Sequence, residues 1–159
     1  MYTFRLIEKQ EIPEFFALIT KRMAWLDKKH LKGWNIYHYD EIFPLSYFQA
    51  MASSLYVLVS DHVVCGAVLL ESDQRWNDSC SALYVHNFVS EVGSRSGRSF
   101  LRYVEAYAVS KGKKYLRLDS DIHNEDLASY YHALAFEDCG FCWEGDYQGV
   151  LRQKKLIHH

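Results

Sequence analysis

The sequence predicts an α/β (α+β) chain built on one mixed central β-sheet, with a parallel pair of strands in its middle and helices on both faces. Three observations predict it. The apolar run "SCSALYVHNFV" (79–89) is followed by an amphipathic helix and then by a second strand-like run, "KKYLRLDSD" (113–121). Strand, helix and strand in one sheet imply a parallel pair joined by a right-handed crossover. On either side, "LYVLVSDHVVCGAVLLES" (55–72) and the closing pair "AFEDCGFCWEG" and "GVLRQKKL" read as strands joined without an intervening helix, hence as antiparallel hairpins.

Each element follows from its pattern. Thr3–Ile7 is a short first strand. Ile12–Asp27 places Phe15, Phe16, Ile19, Met23 and Leu26 at helical spacing. The segment 28–44 is polar, aromatic and irregular, and Leu45–Ser53 is a second short helix. The run at 55–72 breaks at Ser60-Asp61-His62, the tip of its hairpin. After Val89 comes "SEVGSRSGRS", then a helix with Phe100, Leu101, Val104, Tyr107 and Ala108 on one face and Gly112 as its terminating glycine. Asn124–Leu134 is the last helix. The order is β-α-α-β-β-β-α-β-α-β-β.

At 159 residues the chain is expected to be one domain, 1–159, large enough to hold a core without a metal or disulfide staple. It is 49% hydrophobic and 24% charged, with an aromatic share of 16%. A net charge of −2 with scattered basic residues provides no field for nucleic acid, so no nucleic-acid partner is expected. No run reaches membrane-spanning length and the start does not read as a signal peptide, so no membrane partner and a cytoplasmic location are expected. The 4 cysteines are then reduced thiols. The closing His158-His159 pair, native or left from a purification tag, is given no role.

Two segments carry candidate chemistry. Between the end of a parallel strand and the start of a helix, backbone N–H groups are unpaired and the helix dipole favours anions. Gly93 and Gly97 allow close backbone approach there, Ser94, Ser96 and Ser99 add hydroxyls, and Arg95 and Arg98 add positive charge. Taken alone, such a loop is also what a plain connection looks like. The second segment is "NEDLASYYHALAF" (124–136), where Asn124 is a good N-cap and Tyr130 and Tyr131 stand about 100° apart on the helix. One can pack inward while the other faces a neighbouring site; the alternative is that both are packing residues with their hydroxyls at the edge.

The order of elements and these two segments together resemble the GNAT superfamily of acetyl-CoA-dependent N-acetyltransferases. Its later motif, N-x-x-A-x-x-x-Y-x-x-x-G-F, matches at Asn124, Tyr131 and Phe136, with Ala135 in place of the usual glycine. Its loop motif, R/Q-x-x-G-x-G/A, matches less well. Gly97 takes the last position, Arg95 falls on the middle glycine, and Val92 on the basic or amide residue, while Gly93 matches a glycine common just after it. An arginine forced to positive φ costs about 1–2 kcal/mol relative to glycine; a loop shortened by about two residues is an alternative that avoids that conformation.

The resemblance implies acetyl-CoA as cosubstrate, no metal, and direct attack by a small-molecule or peptide amine in a ternary complex. It implies backbone N–H groups of Phe88 and Val89 at the thioester and pantetheine, the loop Gly93–Ser99 at the pyrophosphate, Asn124 orienting the cofactor, and Tyr131 protonating the leaving thiolate. A homodimer is compatible with the family. His86 is the first candidate for a base, since it lies on the same strand, three residues before Val89, and histidine is the side chain most often used for proton transfer. Asp119, Asp121, His38 and Glu41 are others, and a water chain with no dedicated base is an alternative. Trp25, Trp34, Tyr37, Tyr39 and Phe43 line an acceptor pocket or form a packed cap. The altered loop motivates a rival reading, a catalytically silent binding or regulatory module on the same fold. "CGFC" at 139–142 has the spacing of a metal or redox pair, but residues three apart on a strand face opposite sides.

Overall fold

The computed structural model describes residues 1–158; His159 lies outside them. The elements are β1 (Thr3–Leu6), α1 (Ile12–Lys28), α2 (Tyr39–Ile42), α3 (Leu45–Ala50), β2 (Leu55–Val59), β3 (Val63–Leu70), β4 (Ala82–Ser90), α4 (Gly97–Ser110), β5 (Tyr115–Asp121), α5 (Glu125–Ala133), β6 (Glu137–Glu144) and β7 (Tyr147–Lys155). The strands form a seven-stranded sheet in the order β1-β2-β3-β4-β5-β7-β6. The expected parallel pair is β4 with β5, in register from Ala82↔Tyr115 to Tyr84↔Arg117. The flanking ladders β1/β2, β2/β3, β5/β7 and β6/β7 are antiparallel. Within 28–44, which reads as irregular, one short helix forms, α2, entered through His38 at φ 52°.

The chain divides into two compact units. The first comprises Met1–Leu69 with His86–Val104. Its register puts Arg5, Val57 and Gly66 on one face and Phe4, Leu58 and Cys65 on the other. Helix α1 covers the first face. A Cβ on Gly66 would lie 2.7 Å from the Phe15 ring and 2.9 Å from the Tyr56 carbonyl oxygen, so the helix approaches the sheet over a residue that must lack a side chain. Helix α4 covers the second face, where Phe4 lies 5.7 Å from the rings of both Phe100 and Tyr103. The helical spacing of Phe15, Ile19, Phe100, Leu101 and Val104 is thus explained, and all five are buried. Tyr107, expected on the buried face of α4, is only half-buried, and the Lys111 ammonium sits 5.5 Å from its ring.

The second unit comprises Leu70–Val85 with Glu105 onward. A cluster of Trp76, Ala82, Tyr84, Cys142 and Leu151 forms part of its core. Beside it Arg117 is only 2% exposed, which a guanidinium tolerates only when paired. It donates to both carboxylate oxygens of Asp78 at 2.8 and 2.9 Å and to the Tyr84 hydroxyl at 3.0 Å, with the Trp76 ring 4.2 Å away. In β6 the register shifts between Asp138 and Phe141, and Gly140 takes φ 123°. Cys139 is exposed and Cys142 buried, and all four cysteines are free thiols. Among the described residues no group of three or more His, Cys, Asp or Glu is arranged to hold a metal ion. Among the described residues no helix is long and apolar enough to cross a membrane. His158 donates from Nε2 to the Lys113 carbonyl at 2.7 Å.

Candidate functional site

The loop after β4 is shaped from within the first unit. Glu91 donates its N–H to the Val64 carbonyl at 2.7 Å, and the Ser96 hydroxyl donates to the same oxygen at 3.0 Å. The Ser94 hydroxyl donates to the Glu91 carbonyl at 2.7 Å and lies 2.8 Å from Ser96 Oγ. Gly93 takes φ 82° and Arg95 φ 56°, so arginine occupies the left-handed conformation that the middle glycine of the motif would supply. The shortened loop does not escape it. Left-handed backbone at a long side chain is uncommon and is held only where its surroundings fix it; here the serine bonds on either side do so.

These bonds change what the serines do. Ser96 is fully buried, its hydroxyl donates to protein, and its own N–H donates to Ser94 Oγ at 3.3 Å. Both its hydroxyl and its N–H are thus spent within the protein, and it acts as an internal strut of the loop. Ser94 is bound into the same strut and half-buried. Ser99 is half-buried, whereas Gly93, Arg95 and Arg98 are exposed and Gly97 is buried. The first turn of α4 presents the N–H groups of Gly97, Arg98 and Ser99, which donate to no acceptor among the described residues; the first closed turn is Phe100 N–H to the Ser96 carbonyl at 2.9 Å. Among the described residues neither Arg95 nor Arg98 makes an ion pair. Three open donors and two unpaired guanidiniums form a site suited to an anionic group.

Upstream on β4, His86 and Phe88 are half-buried and Val89 is buried. Between them Asn87 stands at φ 56° although it lies inside a strand. Nothing in the spacing of "LYVHNFV" marks it. Its signal was the residue type, since asparagine is depleted in strands yet is among the non-glycine residues most tolerant of left-handed backbone. Asn87 is 7% exposed, and both ends of its amide are used. Nδ2 donates to the Tyr39 hydroxyl at 2.6 Å, and Oδ1 accepts from the Tyr47 hydroxyl at 3.3 Å. Trp34 stacks on Tyr39 at 4.1 Å, with Phe43 4.9 Å from both Tyr39 and Tyr47, so part of the expected acceptor aromatics packs together. His38 and Glu41 are exposed.

In the second unit, Asn124 caps α5 as expected, its Oδ1 accepting from Leu127 N–H at 3.0 Å. Its Nδ2 donates to no acceptor among the described residues. Tyr131 is the inward member of the tyrosine pair, 5% exposed, and Tyr130 is half-buried. The end of α5 closes by two nested bonds, Ala135 N–H to the His132 carbonyl and Phe136 N–H to the Tyr131 carbonyl, both 3.0 Å. This closure needs a left-handed residue between the last turn and the strand. Ala135 provides it at φ 71°, and the Phe136 ring packs edge-on against Tyr131 at 5.5 Å. The motif's Tyr-to-Phe spacing is therefore the spacing of a helix terminator, and it fixes Tyr131 in its last turn.

The two β5 carboxylates differ. Asp119 accepts from Arg75 at 2.8 Å and from the Tyr147 hydroxyl at 2.6 Å, which makes it a structural partner. Burial and that carboxylate push the Tyr147 hydroxyl pKa far up, so it stays protonated, and they push the Cys142 thiol up to about 11. Asp121 uses Oδ1 to accept from His123 N–H at 2.9 Å. Its Oδ2 is buried with no hydrogen-bond partner, the only such side-chain atom among the described residues.

Neither a protein-family model nor a curated protein matches the sequence. Solved structures do match over nearly its whole length. A GNAT-family acetyltransferase from Listeria monocytogenes superposes with a TM-score of 0.75 at 16% identity, covering 98% of this chain and 95% of that one. The PaiA N-acetyltransferase of Thermoplasma acidophilum, in complex with coenzyme A, gives 0.75 at 12% identity over 98% and 99%. YncA of Salmonella typhimurium, a putative acetyltransferase with its cofactor acetyl-CoA, gives 0.65 at 17% over 100% and 96%. At such identities the likeness is one of fold.

Proposed function

We propose that this chain, which has the fold of GNAT-family acetyltransferases, is a single-domain N-acetyltransferase that moves the acetyl group of acetyl-CoA to a primary amine by direct attack in a ternary complex. The observation that carries the reading is the turn into α4. Open N–H groups at Gly97, Arg98 and Ser99, with unpaired Arg95 and Arg98 beside them, fit a diphosphate in charge and in donor supply.

Bound acetyl-CoA supplies the activated thioester carbonyl. The residues of this chain hold and polarise it. Gly93, Arg95, Gly97, Arg98 and Ser99 hold the diphosphate, with Ser94 and Ser96 keeping the loop in shape. The Phe88 and Val89 N–H groups donate to the carbonyl oxygen as negative charge develops there. Asn124 offers its unused Nδ2 to the cofactor. Tyr131 donates its hydroxyl proton to the departing sulfur, and His86 takes the proton that the amine loses on forming the amide. The acceptor is a small-molecule or peptide amine.

One observation favours a second reading, a noncatalytic binding module. Both Ser94 and Ser96, which would otherwise contact phosphate, are turned to protein acceptors. Incubation with acetyl-CoA and a panel of primary amines, following release of free CoA thiol together with the mass of the product, decides between the two. Acetyl-CoA-dependent amide formation, reduced in Tyr131→Phe, is the expected result. Absence of product with every amine, from a folded protein that binds acetyl-CoA, establishes the binding module instead.

A further inference from the structure

Asn87 combines three properties that have no common structural cause. It is left-handed inside a strand, it is buried, and both ends of its amide bond to tyrosines of another segment. If the strand needed only a kink, glycine would give it without a side chain to satisfy. If the 34–48 segment needed only a hydrogen-bond anchor, a strand residue of ordinary φ would serve. The side chain and the backbone of one residue are being used together.

The geometry points to Asn87 as a positioning residue that couples the segment carrying Tyr39 and Tyr47 to the β4 backbone beyond it. Its left-handed backbone, φ 56°, turns the chain out of regular strand geometry just before the peptide that carries the Phe88 N–H, and so bears on how that N–H is presented. Its amide hands that setting to Tyr39 at 2.6 Å and to Tyr47 at 3.3 Å. Tyr39 is in turn held by the Trp34 ring at 4.1 Å, and Tyr47 packs edge-on at 5.0 Å against Phe48, which is fully buried. A displacement of either tyrosine therefore pulls on the left-handed residue that precedes the Phe88 N–H. The acetyl-transfer reading gives this a use, and the inference rests on it. An acceptor that settles against the aromatic segment would fix the N–H groups that polarise the thioester, so the carbonyl is activated when the amine is present.

Tyr39→Phe tests the coupling, because it removes one hydroxyl and leaves every β4 residue unchanged. The discriminating quantity is the ratio of acetyl-CoA to CoA affinity, since CoA lacks the carbonyl that the Phe88 N–H would meet. We expect the ratio to fall about tenfold in Tyr39→Phe, equivalent to about 1.4 kcal/mol, with CoA affinity unchanged. Asn87→Gly keeps access to positive φ and loses both anchors, so it should show the same fall; Asn87→Asp, which still accepts from Tyr47, should show a smaller one. Equal ratios in wild type and all three variants overturn the inference. If the wild type binds neither CoA nor acetyl-CoA, it is the acetyl-transfer reading that has failed. The coupling is then read from amide resonances: Tyr39→Phe should shift Phe88 and Val89 N–H signals, and no shift overturns it. A Tyr39→Phe protein that fails to fold is replaced by Tyr47→Phe in both measurements.

Discussion

Arg95 and Ala135 hold the same left-handed backbone, at φ 56° and 71°, the first ahead of α4 and the second just after α5. Both stand where the GNAT sequence motifs place glycine. At each position this chain carries another residue in a conformation that glycine adopts without strain. In the sequence these positions depart from the motifs, yet in the folded chain each is a left-handed turn carrying some strain.

Ala135→Gly should therefore stabilise the protein. Relieving a left-handed alanine is worth about 1 kcal/mol, which for a chain of this size raises Tm by about 2–4 °C. The closure bonds from residues 135 and 136 use backbone only, so they survive the change. A fall in Tm on thermal unfolding would show that the alanine methyl packs usefully.

Arg95→Gly should raise stability by a similar route, about 1 kcal/mol, and at the same time weaken acetyl-CoA binding. It removes one of two guanidiniums that have no carboxylate partner, so the dependence of affinity on salt should become shallower. Tighter binding in the glycine variant would mean that the arginine obstructs the loop.

Ser96→Ala separates the loop's architecture from its charge. The variant loses a buried bond to the Val64 carbonyl, which keeps only the Glu91 N–H. We expect a loss of about 1–2 kcal/mol with weaker cofactor binding and an unaltered salt dependence. Unchanged stability on chemical denaturation would refute the role of strut.

Asp121→Asn tests the orphaned oxygen. The Oδ1 bond to His123 N–H is available to asparagine, while the negative charge at buried Oδ2 is lost. Since an unpaired buried charge costs more than an unpaired neutral group, the variant should be as stable as wild type or more so. Lower stability at neutral pH would show that the charge has a partner in solution.

Much of this architecture was legible in the sequence because it rests on spacing. The buried faces of α1 and α4, the hairpin tip at Ser60–His62, the parallel β4/β5 pair and the Asn124 cap all follow from periodicity and from residue types with one dominant use. What escaped has no periodic signature. Asn87 interrupts β4 by a single dihedral angle, and "LYVHNFV" reads through it as a strand. The use of Ser96 depends on a carbonyl on β3, 32 residues earlier. Asp119 reads as an available carboxylate until Arg75 and Tyr147 are found on it. Long-range polar partners decided these roles, and composition does not encode them locally.

The most direct test of the central claim is calorimetric titration of the purified protein with acetyl-CoA, CoA and 3′-dephospho-CoA. Saturable binding in the micromolar range, near −8 kcal/mol, is expected, weakened by salt, and weakened by loss of the 3′-phosphate less than by Arg95→Gly. No heat with any of the three up to about a millimolar, a limit near −4 kcal/mol, from a sample shown to be folded, would contradict it.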